Sequence, residues 1–299
     1  MSGTSSTHYR VRFGHAEVES DGGRDRRLVQ GFFRFLWYPW RTILRHRSLI
    51  VSMVRRDVLG RYRGSMAGGL WTLIHPLLLM MVYFFVFGVV LRVRFKAGQG
   101  PADYVFYFFC GMLPWLAFSE ALGRAAQVVW DHSGFVRRVI FPLEILPANL
   151  TLAGLVTEAF GLAILLTAWL AWGGGIPWTA VYFPLILLPQ ILLTAGLCWF
   201  LAALGVFFRD TGPIMGFLLT VWFFLTPICY SETALPQRWL WLLEKNPMYT
   251  IVGSYRAVLL ENSAPASGPL VILWIVSLAT FWLGYAWFYK TKKSFADLI

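Results

Sequence analysis

Residues 55–91 read RRDVLGRYRGSMAGGLWTLIHPLLLMMVYFFVFGVVL. Four arginines and one aspartate fall within the first nine positions, and from Met66 to Leu91 there is no Asp, Glu, Lys or Arg. An apolar helix of about 20 residues, at roughly 1.5 Å each, crosses the hydrocarbon core of a bilayer. A cationic cluster against such a run pins it, because arginine stays with water and lipid phosphate. Residues 70–91 therefore read as a membrane span, and the residues before them as a segment lying at the membrane surface.

The rest of the chain repeats the pattern. Its 299 residues are 58% hydrophobic and 14% charged, with mean hydropathy +0.60. A soluble domain is nearer 45–50% apolar and about 25% charged. Five further apolar runs cover about 104–122, 145–172, 178–207, 213–230 and 269–289. The expected fold is an all-α integral membrane protein of six transmembrane helices, filling residues 66–290. Pro76, Pro114, Pro184, Pro189 and Pro227 fall within the runs, and spanning helices tolerate proline as kinks.

Basic residues orient the spans. With the N-terminus in the cytoplasm, 20 of the 26 Lys and Arg fall on the inner side and 6 on the outer. The positive-inside rule then places both termini in the cytoplasm of a multi-pass protein of the cytoplasmic (inner) membrane. The net charge of +11 sits at membrane edges and not on a soluble face, so nucleic acid is not an expected partner. Residues 1–30 are polar and have no apolar h-region, so disorder is expected there and a cleaved signal peptide is not. Residues 291–299 form a cytoplasmic tail.

Residues 31–65 read as an interfacial region. Ile43, Ile50, Val54, Val58 and Tyr62 recur at mostly four-residue spacing, with Arg41, Arg45, Arg55, Arg56 and Arg63 largely off that line. Such an amphipathic helix lies in the interface, apolar side toward acyl chains. Pro39 suits its first turn, and Gly64, Gly68 and Gly69 let the chain turn into the membrane.

Absences narrow the function. The dipeptide Gly-Lys never occurs, so no phosphate-binding loop is present. His8, His15, His46, His75 and His132 are scattered, and no metal spacing is found. Cys110, Cys198 and Cys229 lie in apolar surroundings and read as buried free thiols. Two acids fall inside runs, Glu120 near the inner end of the second and Glu158 near the middle of the third. A charge at the midplane costs about 2.5–3.5 kcal/mol on insertion scales, so Glu158 faces the bundle or a wet cavity. It is either a pathway residue or an interhelical hydrogen-bond partner. Deep aromatics, Tyr83, Phe84, Phe87, Trp222, Phe223 and Phe224, either pack helices or offer flat faces to a sliding sugar chain.

Three stretches carry more information together. They are RDVLGRYRGSMAGGLWTLIHPLLLMMVY (56–83), GFVRRVIFPLEILPANL (134–150) and FFRDTGPIMGFLLTVWFFLTPICYSETALPQRWLWLLEKNPMYTIVGSYR (207–256). Taken in order, they resemble the membrane-spanning permeases of type 2 ABC exporters for polysaccharides, over roughly residues 35–290. The resemblance implies a homodimer bound to two separate ATPase subunits, which hold the ATP and magnesium; this chain itself needs no cofactor and is no enzyme. It implies a coupling helix at about 133–141, where Ser133 caps the start and Phe135, Arg137, Arg138 and Phe141 meet the ATPase. It gives Arg55, Arg56, Asp57, Arg61 and Arg63 a role beside anchoring, on the ATPase or on a substrate pyrophosphate.

Residues 233–262 are too long for a simple loop. Leu240, Leu243, Met248, Ile251 and Val252 suggest two short helices dipping back from the outer side, a re-entrant pair that the resemblance sets at the outer end of a tunnel. Tyr83, Phe84, Phe87, Glu120, Glu158, Trp222 and Phe224 are the candidates for the substrate pathway. The substrate implied is a lipid-linked polysaccharide of capsule, O-antigen or teichoic-acid type, with periplasmic export components a further partner class. The rivals are a type 2 ABC permease for lipids or drugs, and an integral-membrane enzyme acting on lipid-linked sugars.

Overall fold

The computed structural model describes residues 38–60, 74, 77–78, 81–92, 101–136, 141–171, 175, 177–231, 238 and 240–299. Expectations for residues 1–37, Arg61, Tyr62, Arg63, Arg137, Arg138, the glycine turn and part of the first apolar run lie outside these residues. The chain divides into two units, Met1–Arg41 and Thr42–Ile299. Of the first, only 38–41 are described, and they are helical. Every element below belongs to the second.

No strand occurs among the described residues. The helices are α1 (Arg47–Gly60), α2 (Met81–Val90), α3 (Pro101–Ala125), α4 (Val128–Asp131), α5 (Ser133–Val136), α6 (Ile145–Ala171), α7 (Phe183–Phe207), α8 (Thr211–Leu225), α9 (Leu240–Glu244), α10 (Pro247–Leu259), α11 (Ser267–Thr291) and α12 (Phe295–Leu298). A 3-10 turn, Trp178–Tyr182, leads into α7. Among the described residues four helical segments are long and apolar enough to cross a membrane: Tyr104–Ala125, Ile145–Ala171, Trp178–Phe207 and Ser267–Ser294. They match the second, third, fourth and sixth runs of the sequence.

The fifth run departs from expectation. Its helix, α8, has only 15 residues, about 22 Å at 1.5 Å each, short of a roughly 30 Å core. The cause is Pro227, which was expected inside the span. The residue before a proline is pushed out of the α region, and Thr226 is extended at φ −104° and ψ 126°. By contrast α3 and α7 run on through Pro114 and Pro189, while Pro184 sits in the first turn of α7, where its missing N–H is harmless.

Hydrogen bonds fix which helix ends lie together. At one end Arg124 of α3 meets Asp57 of α1, Trp130 donates to Gly205 O at 3.0 Å, and Lys292 pairs with Glu144. At the other, Tyr104 donates to Cys229 O at 3.2 Å, Thr179 to Val258 O at 2.7 Å and Trp274 to Leu185 O at 3.1 Å. The long helices α3, α6 and α7 therefore alternate in direction, and α11 runs parallel to α7, from Trp274 beside Leu185 to Phe295 beside Phe207. The short α8 runs back along α3, from Gly212 beside Gln127 to Phe223 against Trp115 at 5.6 Å.

Close backbone approach holds the bundle. A Cβ built on Gly284 of α11 would lie 2.0 Å from Gly196 O of α7, and one on Gly196 would lie 2.4 Å from Thr280 O. Lipid tails are as apolar as leucine, so association inside a membrane depends on tight packing through small residues. Beside the crossing, Trp199 makes T-shaped contacts with Phe281 (5.1 Å) and Tyr285 (5.0 Å). Cys110, Cys198 and Cys229 are buried free thiols, as read from the sequence.

The interfacial helix is interrupted at His46, and its described part is seated differently than its pattern suggested. Within the second unit a helical stretch over 42–45 ends in a turn at His46, and α1 starts at Arg47. Ile50, Met53 and Val58 are buried, and α1 packs on α6. The buried stripe faces protein, while Val51 and Leu59 stay exposed. Asp57 lies on the protein side, one position from Val58, which explains how an acid within an arginine cluster reaches Arg124.

Candidate functional site

Where α8 stops, non-helical backbone continues from Thr226 to Ser231 in the described residues. In an apolar core the freed carbonyls need protein donors. Arg256 of α10 supplies them. Its Nη1 donates to Pro227 O at 2.9 Å, its Nη2 to Ile228 O at 3.0 Å and its Nε to Tyr107 O of α3 at 3.2 Å. Gly111 makes room, since a Cβ there would lie 2.9 Å from Nη2. Counted from sequence as an outer-loop charge, Arg256 is in fact 7% exposed. Burial is compensated because a guanidinium carries five donors in a fixed fork.

Asn246 closes the same junction. Its side chain caps α10, accepting from Met248 N at 3.0 Å and from Trp222 Nε1 at 2.8 Å. Its Nδ2 donates to Thr226 Oγ1 at 2.9 Å, and Thr226 donates back to Trp222 O at 2.9 Å. Pro247 follows at the first helical position, where its ring is preorganised. The Leu-Thr-Pro-Ile, Asn-Pro and Arg elements of the third stretch thus meet in one place. Asn246→Ala removes a cap worth about 1 kcal/mol and leaves the Trp222 indole N–H without its acceptor, at about 1–3 kcal/mol more. The expected result is a melting temperature several degrees lower with red-shifted tryptophan emission; an unchanged melt would remove Asn246 from this role.

The opposite end holds the charged constellation. Arg124 donates to both oxygens of Asp57, at 2.7 and 3.0 Å, and Glu120 lies 3.8 Å away on the same helix face. Around this pair opens a cavity of about 530 Å³, lined among others by Arg56, Glu120, His132 and Asn149. The Asn149 Oδ1 is buried there without a hydrogen-bond partner. The cavity lies where α1, the Arg124 end of α3, the α4–α5 joint and the start of α6 meet. Within the joint, Phe135 stacks between His132 (5.9 Å) and Phe141 (4.6 Å). Ser133 is the first residue of α5, and the turn before it is closed by Phe135 N–H to His132 O at 2.8 Å.

The other residues singled out from sequence do not share one wall. Tyr83 packs on Phe87 (6.2 Å), Phe108 (5.9 Å) and Phe223 (5.4 Å), and Phe84 on Tyr104 (6.4 Å). Trp222 turns inward to Asn246 and sets its ring edge-on to Phe118 at 5.1 Å. Phe224 faces away, 54% exposed. Arg55 is exposed. Glu158 is buried and bonded to Gln190 and Tyr255, so of the two readings the structure shows the interhelical hydrogen bond. Leu243, Met248, Ile251 and Val252 are buried within α9 and α10, the helix pair expected over 233–262. Sequence reasoning passed over Gln190, Tyr255 and Asn149. The available signal was an amide within an apolar run, at Gln190, and a second at Asn149, just after a proline-rich turn.

Residues 48–260 match the family described as ABC-2 type transporter, from α1 to the end of α10. The O-antigen export system permease protein RfbA of Myxococcus xanthus is 35% identical over 262 residues, covering 87% of this chain and 98% of that protein. A protein of the same description from Klebsiella pneumoniae is 27% identical, over 84% of this chain and 95% of that one. The polysialic acid transport protein KpsM of Escherichia coli is 21% identical, over 82% and 93%.

Proposed function

This chain belongs to the ABC-2 type transporter family, and on that premise we propose that it is the membrane-spanning permease of an ATP-driven exporter of a lipid-linked polysaccharide. The observation that carries the reading is its near end-to-end match to O-antigen export permeases. The chain has no phosphate-binding loop, so a separate ATPase subunit supplies the energy. The substrate is of O-antigen or capsule type, the two kinds of polymer in the relatives' names.

The finer architecture follows as part of the proposal. Six spans cross the cytoplasmic (inner) membrane, with α2 ending the first and α8 plus its non-helical continuation from Thr226 forming the fifth. The Arg124 end is cytoplasmic, consistent with the surplus of basic residues there, and both termini lie on that side. Two copies pair, with one ATPase on each. The α4–α5 joint, with Phe135 and Phe141 stacked on it, is the coupling helix; Ser133, Arg137 and Arg138 flank its contact with the ATPase. The α9–α10 pair dips back from the outer side and caps the tunnel, and periplasmic export components receive the polymer there. ATP binding closes the ATPases, the coupling helices and α1 carry the motion, and the tunnel between the copies opens.

The test is reconstitution in vesicles with and without the ATPase subunit. Polymer export is expected only when both chains and ATP are present. Export by this chain alone, or a complex that moves lipids or drugs while ignoring lipid-linked glycan, would overturn the reading. Phe135→Asp is expected to leave ATP hydrolysis running and export stopped; export at the normal rate would take Phe135 out of the contact.

A further inference from the structure

Glu158 of α6, Gln190 of α7 and Tyr255 of α10 are 4%, 1% and 0% exposed. Their polar atoms form a closed triangle. Tyr255 Oη lies 2.5 Å from Glu158 Oε1 and 2.7 Å from Gln190 Oε1, and Gln190 Nε2 lies 2.8 Å from Glu158 Oε2. Each edge is hydrogen-bond length, so each needs one hydrogen on one of its ends.

Counting hydrogens decides the state of the carboxyl. Tyrosine has one hydroxyl hydrogen, and an amide oxygen has none. With Gln190 oriented as given, its N–H serves Glu158 Oε2 and the tyrosine hydrogen serves Gln190 Oε1. The 2.5 Å edge then has no hydrogen unless Glu158 carries one. Amide oxygen and nitrogen can be exchanged by a flip. After the flip the N–H serves Tyr255 Oη and the tyrosine hydrogen serves Glu158 Oε1. The remaining edge, Gln190 oxygen against Glu158 Oε2, again lacks a hydrogen unless Glu158 supplies it. Both orientations require a carboxylic acid.

The surroundings agree. Among the described residues no cation is within ion-pair distance of Glu158. The neighbouring Arg256 turns its guanidinium the other way, onto the carbonyls of Tyr107, Pro227 and Ile228. Phe183 sets its ring against Tyr255 at 5.0 Å, and the nearby titratable group on α3, Cys110, is a buried thiol. An isolated carboxylate in such a site is far costlier than a neutral acid with every hydrogen placed.

We infer that Glu158 is a neutral carboxylic acid that closes a three-membered hydrogen-bond ring with Gln190 and Tyr255, and that this ring locks α10 onto α6 and α7. Glu158 is thus a positioning residue. Tyr255 and Arg256, adjacent on α10, hold that helix from two sides: the ring binds it to α6 and α7, the guanidinium to α3 and the end of α8. In the export cycle, which rests on the reading proposed above, α10 moves with α6 and α7 as one body, and Glu158 passes no proton.

The experiment is infrared spectroscopy of the purified full-length protein at neutral pH, taken as the difference between wild type and Glu158→Gln. Glutamine donates one hydrogen and accepts one in the same ring, so it keeps all three bonds with no ionisable group. The expected difference spectrum shows the carbonyl stretch of one protonated carboxyl in the wild type, and the Glu158→Gln protein keeps its melting temperature. Tyr255→Phe deletes the central hydroxyl and is expected to lower the melting temperature by several degrees. A carboxylate band in place of the acid band, or a Glu158→Gln protein destabilised as much as Tyr255→Phe, overturns the ring. These two readouts need no transport and stand whatever the substrate proves to be. In vesicles, export by Glu158→Gln is expected at the wild-type rate; a folded variant with export abolished while wild type exports would overturn the positioning role.

Discussion

Replacing Gly284 by leucine is expected to leave no folded protein, and Gly196→Leu to do the same. A Cβ on Gly284 falls 2.0 Å from the backbone oxygen of Gly196, and one on Gly196 falls 2.4 Å from Thr280 O. Both contacts are with main chain, which cannot rotate away as a side chain can. Relief requires α7 and α11 to separate along their crossing, and this pair makes the most extensive helix contact in the described structure. Overpacking of side chains costs about 1–3 kcal/mol; prying helix backbones apart costs at least the top of that range. In a membrane the loss is not recovered by other burial, because lipid already solvates both helix faces.

Gly216 of α8 is the control. Nothing lies within 4 Å of a Cβ there, and alanine in a helix interior gains about 0.5–1 kcal/mol over glycine. Gly216→Ala is expected to melt at or above the wild-type temperature in detergent. Gly284→Leu is expected to fail to accumulate, or to melt far below it. A Gly284→Leu protein that melts like wild type would mean that α7 and α11 do not cross at these glycines.

The glycine crossing also shows what sequence can and cannot carry. The runs at 145–172 and 178–207 became α6 and the Trp178–Phe207 segment almost to the residue, because apolar length alone decides a span. Nothing in Gly196 or Gly284 separately says that they face each other across 88 positions. The run 213–230 read as a span, and its backbone does reach Tyr104; only the proline rule, applied at Thr226 and not waived for membranes, would have shortened the helix to Leu225. Arg256 was read from sequence only as one of the outer-side charges. Its role was not legible, since its partners are main-chain carbonyls, which carry no signature in sequence. Glu158 was recognised as a residue needing a partner inside the bundle, but Gln190 and Tyr255 are 32 and 97 positions away, and periodicity does not link them. The opening arginine cluster was read as an anchor with a further role in coupling, and Asp57 within it found Arg124 of α3, a residue counted only for its charge.

That pair supports the second strong expectation. Asp57→Arg should stop polymer export while leaving the membrane bundle folded. Asp57 is 15% and Arg124 43% exposed as side chains, so solvent screens the pair and its share of stability is small, about 1 kcal/mol or less for a partly exposed ion pair. Its geometry matters more than its energy: a bidentate fork fixes angle as well as distance, and here it ties α1 to the end of α3 that continues into the α4–α5 joint. If the ATPase drives both α1 and that joint, they must move together, and this is the described ion pair that joins them. Arginine at position 57 puts two guanidinium groups face to face beside Arg56 and drives α1 away from α3. Losing a pair worth about 1 kcal/mol and adding a like-charge repulsion of similar size comes to about 1–2 kcal/mol, and 1.4 kcal/mol is a factor of ten, so export should fall about tenfold at unchanged ATP hydrolysis. The reversed pair, Asp57→Arg with Arg124→Asp, rebuilds the fork with opposite polarity and should recover most of the rate. Recovery in the double variant separates a mechanical link from simple loss of charge at the membrane surface, since the net charge of the reversed pair equals that of the original. Export unaffected by the single reversal, or a double variant as inactive as the single, would show that α1 and α3 do not transmit motion through these two residues.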